Sequence, residues 1–269
     1  MKYKITEETK IILGKTLHRI VCVTAFANVS AGDTGGWIES EKNLDQNGDA
    51  WVYGDARVYG DAQVSGDARV FGDAWVYGNA RVYGDAQVSG DARVYGDARV
   101  FGDAQVSGDA RVFGDAQVSD NARVSGDARV FGDAWVYGDA RVYGNARVSG
   151  NAQVYGDAWV YGDARVYGNA RVYGDARVYG NARVYGDARV SGDAWVEKID
   201  DYTVLKNTWS SGRFFTYTAS NKMWAVGCFY GTGEELIKKA YADSELSGKC
   251  YEASVKYVEE IERIKGESA

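Results

Sequence analysis

Proline is absent from the 269 residues, histidine occurs once, as His18, and cysteine three times, as Cys22, Cys228 and Cys250. Each shortage closes a class of explanation. Without proline there is no polyproline linker, and the turns must be made by other residues. One histidine cannot build a three-histidine zinc centre. Three cysteines, an odd number at no metal-ligand spacing, read as reduced thiols rather than a disulfide framework. No apolar run approaches the roughly 18 residues that cross a bilayer. The opening MKYKITEETK lacks the apolar core of a signal peptide, so a cytoplasmic protein with no membrane partner is expected. Positive charge is in deficit. Lys and Arg number 31 against 38 Asp and Glu, a net charge of −7, which argues against a broad basic footprint for nucleic acid.

Glycine, by contrast, is plentiful at 34 residues, and most of it is periodic. From Gly48 to Glu197 a six-residue unit, G-[DN]-A-x-V-x, recurs 25 times without insertion or deletion. Ala fills the third position from Ala50 to Ala194, and Val the fifth from Val52 to Val196. Gly opens every copy but one, where Asp120 stands. In an extended chain Ala and Val, two apart, face one side, while Arg, Gln or Trp and then Tyr, Phe or Ser face the other. Gly-Asp and Gly-Asn supply the positive φ of a sharp corner. Each hexad is therefore a short strand and a corner, and three hexads close a triangular coil of 18 residues. The expected fold is an all-β solenoid, a three-sided parallel β-helix of hexapeptide repeats. Its eight or so coils would stack into a prism about 40 Å long at the usual strand spacing.

Such a prism needs caps at both ends. Residues 1–47, with KYKIT and TLHRIVCVTAF as strands and a turn at Leu13-Gly14-Lys15, form an N-terminal β cap. Residues 48–197 form the helix of repeats. Residues 198–269 form a small α+β C-terminal domain, expected to dock on the last coil. There TVLKN, RFFTYTA and MWAVGCF read as three antiparallel strands. Thr232-Gly-Glu-Glu235 reads as a capping box opening a helix, and a second helix runs from about Glu245 to Ile264, with Val255, Val258, Ile261 and Ile264 on its apolar face. Most of the dense aromatics of this unit, Trp209, Phe214, Phe215, Tyr217, Trp224, Phe229 and Tyr230, are expected in its core.

Val-Tyr-Gly-Asp-Ala-Arg resembles the hexapeptide repeats of left-handed parallel β-helices, and the left hand is what that resemblance implies. The KYKIT…LHRI…AGDTGGWIESEKNL leader, the GDARVYGNARV solenoid and the TYTASNKMWAVGCFYGTGEEL tail together resemble YdcK-type proteins of bacteria and phages, over nearly the whole chain. That resemblance implies a left-handed β-helix, at times with a transferase label, and carries no established catalytic residue across. Acyltransferases of this fold use a histidine base beside a coil; here no histidine lies between Gly48 and Glu197, and His18 reads as a structural residue of the leader. No cofactor or metal is expected: calcium needs several converging carboxylates, whereas each corner carries one Asp, interrupted by Asn79, Asn121, Asn145, Asn151, Asn169 and Asn181. Threonine is missing from the repeats, which removes an ice-binding ladder.

The outer positions are left to carry function. Sorted at 18-residue spacing, one face holds Tyr59, Tyr77, Tyr95, Phe113, Phe131, Ser149, Tyr167 and Tyr185 beside Arg57, Trp75, Arg93, Arg111, Arg129, Arg147, Arg165 and Arg183. Ladder packing and cation–π contacts alone would account for such columns. Aromatic and Arg residues are also those of interface hot spots. Tyr59, Tyr77, Tyr95, Phe113, Phe131, Arg93, Arg111 and Arg129 are therefore the candidate binding face, for an unidentified protein or for another copy in a homo-oligomer such as a trimer. The expected function is that of a non-enzymatic interaction solenoid in a phage or prophage setting. Two alternatives stand beside it: an acyltransferase-like enzyme using His18 or the tail, and a DNA-mimicking inhibitor, since residues 48–197 carry 15 Arg against 20 Asp and one Glu.

Overall fold

Alternation of Ala and Val with larger outer residues leads to very short strands. The structure, a computed structural model, describes residues 1–267. Strands β4 to β28 run from Trp51–Val52 to Trp195–Val196, one per hexad, each two residues long except Arg111–Gly114 and Arg129–Gly132. They form three parallel sheets, each containing every third strand, so β11 (Arg93–Val94) lies between β8 (Trp75–Val76) and β14 (Arg111–Gly114). The partner of each residue is the one 18 positions on, as in Val94 opposite Val112. Every repeat Ala and Val is buried, and together they form one continuous core. The protein is thus a three-sided parallel β-solenoid with a small antiparallel sheet and two helices after it.

Each corner turns at glycine with φ near +70°, as at Gly96 (φ +73°). The one substituted corner keeps that conformation: Asp120 has φ +56°, and its carboxylate accepts from the Gly138 N–H at 3.1 Å. Asp is among the few L-residues that enter this region readily.

The leader does more than cap. Strands β1 (Tyr3–Ile12) and β2 (Lys15–Cys22) form a hairpin, and β3 (Thr34–Ile38) pairs antiparallel with β2 but parallel with β5 (Arg57–Val58). With Leu44 bridged in parallel to Val64, residues 34–47 make an irregular first turn whose partners lie 20 positions on rather than 18. Its corner is a 3-10 turn at Glu41–Asn43, where the buried Asn43 amide donates to the Gly60 and Ala62 carbonyls. Lys2 is buried too, its Nζ donating to the carbonyls of Asn47, Gly48 and Ala50 at 3.4, 3.2 and 2.9 Å. These are backbone acceptors of the first corner, which would otherwise face the open end.

At the other end β29 (Tyr202–Lys206), β30 (Phe214–Thr218), β31 (Met223–Val226) and β32 (Phe229–Gly231) make a four-stranded antiparallel sheet. The run MWAVGCF is a hairpin rather than one strand, because Gly227 takes φ +59° in the two-residue turn between Val226 and Phe229. Helices α1 (Gly233–Asp243) and α2 (Glu245–Glu267) follow, the first opened by the Thr232/Glu235 capping box. Val255 and Val258 pack on Phe215, Tyr217 and Trp224; Ile261 is half-buried and Ile264 exposed. The unit docks on the last coil. Tyr202 enters the solenoid core and donates to the Arg183 carbonyl at 2.9 Å, while the Thr216 and Ser220 hydroxyls accept from the Arg189 and Trp195 amides. No described helix is long and apolar enough to cross a membrane.

Candidate recognition face

The 18-residue register brings the candidate residues onto one sheet, in the order β5, β8, β11, β14, β17 (Arg129–Gly132), β20 (Arg147–Val148), β23 (Arg165–Val166) and β26 (Arg183–Val184). Their rings stack. Tyr59, Tyr77, Tyr95, Phe113 and Phe131 have successive centroids 5.1, 4.9, 4.9 and 4.9 Å apart with planes within 3° of parallel. A parallel strand spacing of about 4.8 Å imposes this separation and leaves the rings in offset contact along the axis.

Beside the rings runs the cationic column. Trp75 lies between Arg57 and Arg93, whose guanidiniums sit 5.0 and 5.4 Å from its ring, and Arg111 pairs in register with Arg129. Arg57 is held by Asp73 at 3.5 Å. Arg93 is exposed, Arg111 and Arg129 half-buried. Not all of the ladder is open. Tyr59 is buried beneath Leu17 and Trp37 of the leader, and its hydroxyl has no hydrogen-bond partner. Burial pushes its phenol up to about 12, and burial likewise raises Tyr77, with Tyr95 adding to it. The accessible part of the ladder therefore begins at Tyr77.

Two features of the outer surface escaped the sequence reading. The other faces have stacks of their own in the C-terminal half, Tyr137–Tyr155–Tyr173 and Tyr143–Tyr161–Tyr179, and an alternating Arg141–Trp159–Arg177–Trp195 column with contacts of 4.9 to 5.3 Å. The signal was present as tyrosines 18 apart, obscured by serines earlier in those columns. The second feature is relief. At Ser149 the ladder loses a rung, and a cavity of about 260 Å³ opens there, lined by Phe131, Arg147, Ser149, Arg165, Tyr167 and Arg183. A larger cleft of about 360 Å³ lies between the last coils and the tail, with Arg171, Arg189 and Arg213 around Asn151, Gln153 and Asn169.

His18 sits on β2 opposite Ile38, its Nδ1 buried without a partner. No acid or nucleophile hydrogen-bonds to it among the described residues. Among those residues no group of three or more His, Cys, Asp or Glu is placed to hold a metal ion, and all three cysteines are free thiols. The face can thus stack planar groups and pair anions.

Comparison with known families agrees with this geometry. The family model described as YdcK Beta solenoid repeat matches in successive, mostly overlapping stretches between residue 62 and residue 197, half of the chain. No curated protein matches.

Proposed function

The chain belongs to the YdcK beta solenoid repeat family, and we propose that it works as a non-enzymatic interaction rod that binds another macromolecule through its Tyr/Arg face. The observation that carries this is the open stack from Tyr77 to Phe131 with Arg93, Arg111 and Arg129 alongside. Rings fixed by their neighbours present a large amphipathic area with little left to order on binding, and aromatic and Arg side chains dominate interface energetics. The partner is a protein, or a second copy of the chain as in the trimers of hexapeptide-repeat enzymes. The same reading takes the winding as left-handed. It places the protein in a phage or prophage setting, on the likeness of its leader and tail to such proteins.

The test compares the chain with its Arg93→Glu/Arg111→Glu variant. Both are passed against nuclease-treated host lysate and, separately, sedimented at rising concentration. The expected result is a salt-sensitive partner, or a self-association, that the variant loses while its melting temperature stays within a few degrees of the parent. Identical capture and identical sedimentation for both proteins would refute the reading. Turnover of an acyl donor with no macromolecular partner would favour an enzyme instead.

A further inference from the structure

Among the serines of the outer columns, only Ser119 and Ser149 stand between two aromatic rungs: Phe101 and Tyr137 flank the first, Phe131 and Tyr167 the second. The protein treats the two gaps differently. At Ser119 an indole leans over the gap from the Tyr137 side. Trp135, sixteen residues on, leans over with its ring centroid 4.5 Å from that of Tyr137, and its Nε1 donates to the Ser119 hydroxyl at 3.1 Å. Ser119 is 1% exposed as a result. At Ser149 the residue sixteen positions on is Arg165, which is exposed, and the gap opens onto the 260 Å³ hollow described above. Phe131 and Tyr167 are two coils apart, about 10 Å at the parallel strand spacing. One planar ring centred between them would stand about 5 Å from each, the separation of the built rungs.

The charge around this gap differs from the rest of the solenoid. The three coils carrying Arg147, Arg165 and Arg183 are bordered by Asn145, Asp163 and Asn181 on one edge and by Asn151, Asn169 and Asp187 on the other. Four of the six asparagines of the repeat thus frame one patch, leaving three arginines against two aspartates. The matching stretch at Arg57, Trp75 and Arg93 has Asp55, Asp73 and Asp91 with Asp61, Asn79 and Asp97, two arginines against five aspartates. Like every repeat arginine except Arg57, Arg147, Arg165 and Arg183 form no ion pair among the described residues.

Resting on the recognition-face reading, we infer that the Ser149 gap is an insertion site for one aromatic side chain, tryptophan by the Ser119 precedent, carried on an acidic segment of a partner protein. The ring completes the ladder between Phe131 and Tyr167, an indole N–H reaches the Ser149 hydroxyl, and flanking carboxylates pair with the three guanidiniums. Arginine favours such pairs because its planar fork matches a carboxylate.

The probe is a fluorescein-labelled, end-blocked peptide, Asp-Glu-Trp-Glu-Asp, followed by fluorescence anisotropy at low salt with the full chain. Binding is expected below 1 mM, weakened at least tenfold by replacing the peptide's Trp with Ala, and abolished when its acids become Lys. Ser149→Tyr supplies the missing rung from within. It should fold at least as stably as the parent and bind the peptide at least tenfold more weakly. No binding up to 1 mM, or equal binding by the parent and Ser149→Tyr, overturns the inference. Loss of the lysate partner in Arg93→Glu/Arg111→Glu would leave the wider face reading standing in that event.

Discussion

Replacing Gly96 with alanine separates two reasons why a corner needs glycine. Gly96 has φ +73°, and a Cβ built there would lie 2.9 Å from the backbone nitrogen and 3.2 Å from the carbonyl oxygen of Gly114 on the next coil. Gly186 has nearly the same conformation, φ +64°, but nothing within 4 Å of its Cβ position, because no further coil stacks on that corner. Alanine at Gly186 should therefore cost only the left-handed backbone, about 1–2 kcal/mol. Alanine at Gly96 adds overpacking against backbone that cannot rotate away, a further ~1–3 kcal/mol. Because a solenoid responds through its nearest neighbours, hydrogen exchange is the assay. Protection should be read at Tyr95 and Arg99, whose amides bond to Val112 and Ala116, and at Tyr167 and Arg171, which bond to Val184 and Ala188. The first pair should lose about 1 kcal/mol or more beyond the second in the respective variants, the overpacking share alone. Asp120 supplies a natural control, since it carries a Cβ at such a corner and offsets it with its bond to Gly138. Gly96→Asp should accordingly be milder than Gly96→Ala. Equal losses at Gly96 and Gly186, within about 0.5 kcal/mol, the margin to which independent sites add, would refute coil-on-coil contact as the reason for the glycine column.

Three other outcomes follow from the same geometry. Tyr59 and Tyr202 are both pushed up to about 12 by burial, so the folded chain holds protons that the unfolded chain releases near pH 10. Their contribution is complete below pH 10 and lost between about 10 and 12, so urea midpoints measured across that window should fall, and fall less in Tyr59→Phe. Lys2→Met removes the ammonium that satisfies three carbonyls of the first corner. It should cost about 2 kcal/mol, read as faster exchange in residues 50–70 with the last coils unaffected. Ending the chain after Glu197 removes Tyr202 from the core and uncovers the final strand edges; that version should form larger species in light scattering than the full chain does at the same concentration.

The solenoid was legible because a period of six leaves no alternative register: one slip would put every Ala and Val on the outside. The same regularity yields the aromatic column, since residues 18 apart must be neighbours. What could not be read lies where the period fails. The irregular first turn has partners 20 apart and no Gly-Asp corner, so nothing in residues 34–47 announces a coil. The burial of Tyr59 depends on where the leader hairpin folds, a contact between residues about 40 apart in sequence with no motif to mark it. Within the tail, the hairpin hidden in MWAVGCF turns on one glycine inside an apolar run, where strand and turn compete. The open gap at Ser149 becomes visible only against its covered counterpart at Ser119, and that needs side chains in place.

The asparagines test whether the patch around Ser149 has a purely structural origin. Aspartates repeated every strand spacing along an edge repel one another, and replacing some by Asn relieves this and adds a donor. Two such bonds occur on one edge of the patch, Asn151 to Asn169 at 3.4 Å and Asn169 to Asp187 at 3.2 Å. Relief of repulsion, however, works best with Asn spread evenly over the three edges, and four of six are gathered around three coils. Nor does amide bonding explain the opposite edge, where Asn145 and Asn181 make no side-chain hydrogen bond among the described residues. The missing ring argues the same way. A stacked pair contributes about 0.5–1.5 kcal/mol beyond area burial, so tyrosine at 149 would stabilise the fold, and nothing in the coil forbids it. A gap that forgoes this stacking, beside arginines from which neighbouring charge has been withdrawn, fits a surface shaped by what it holds more closely than one shaped by folding alone.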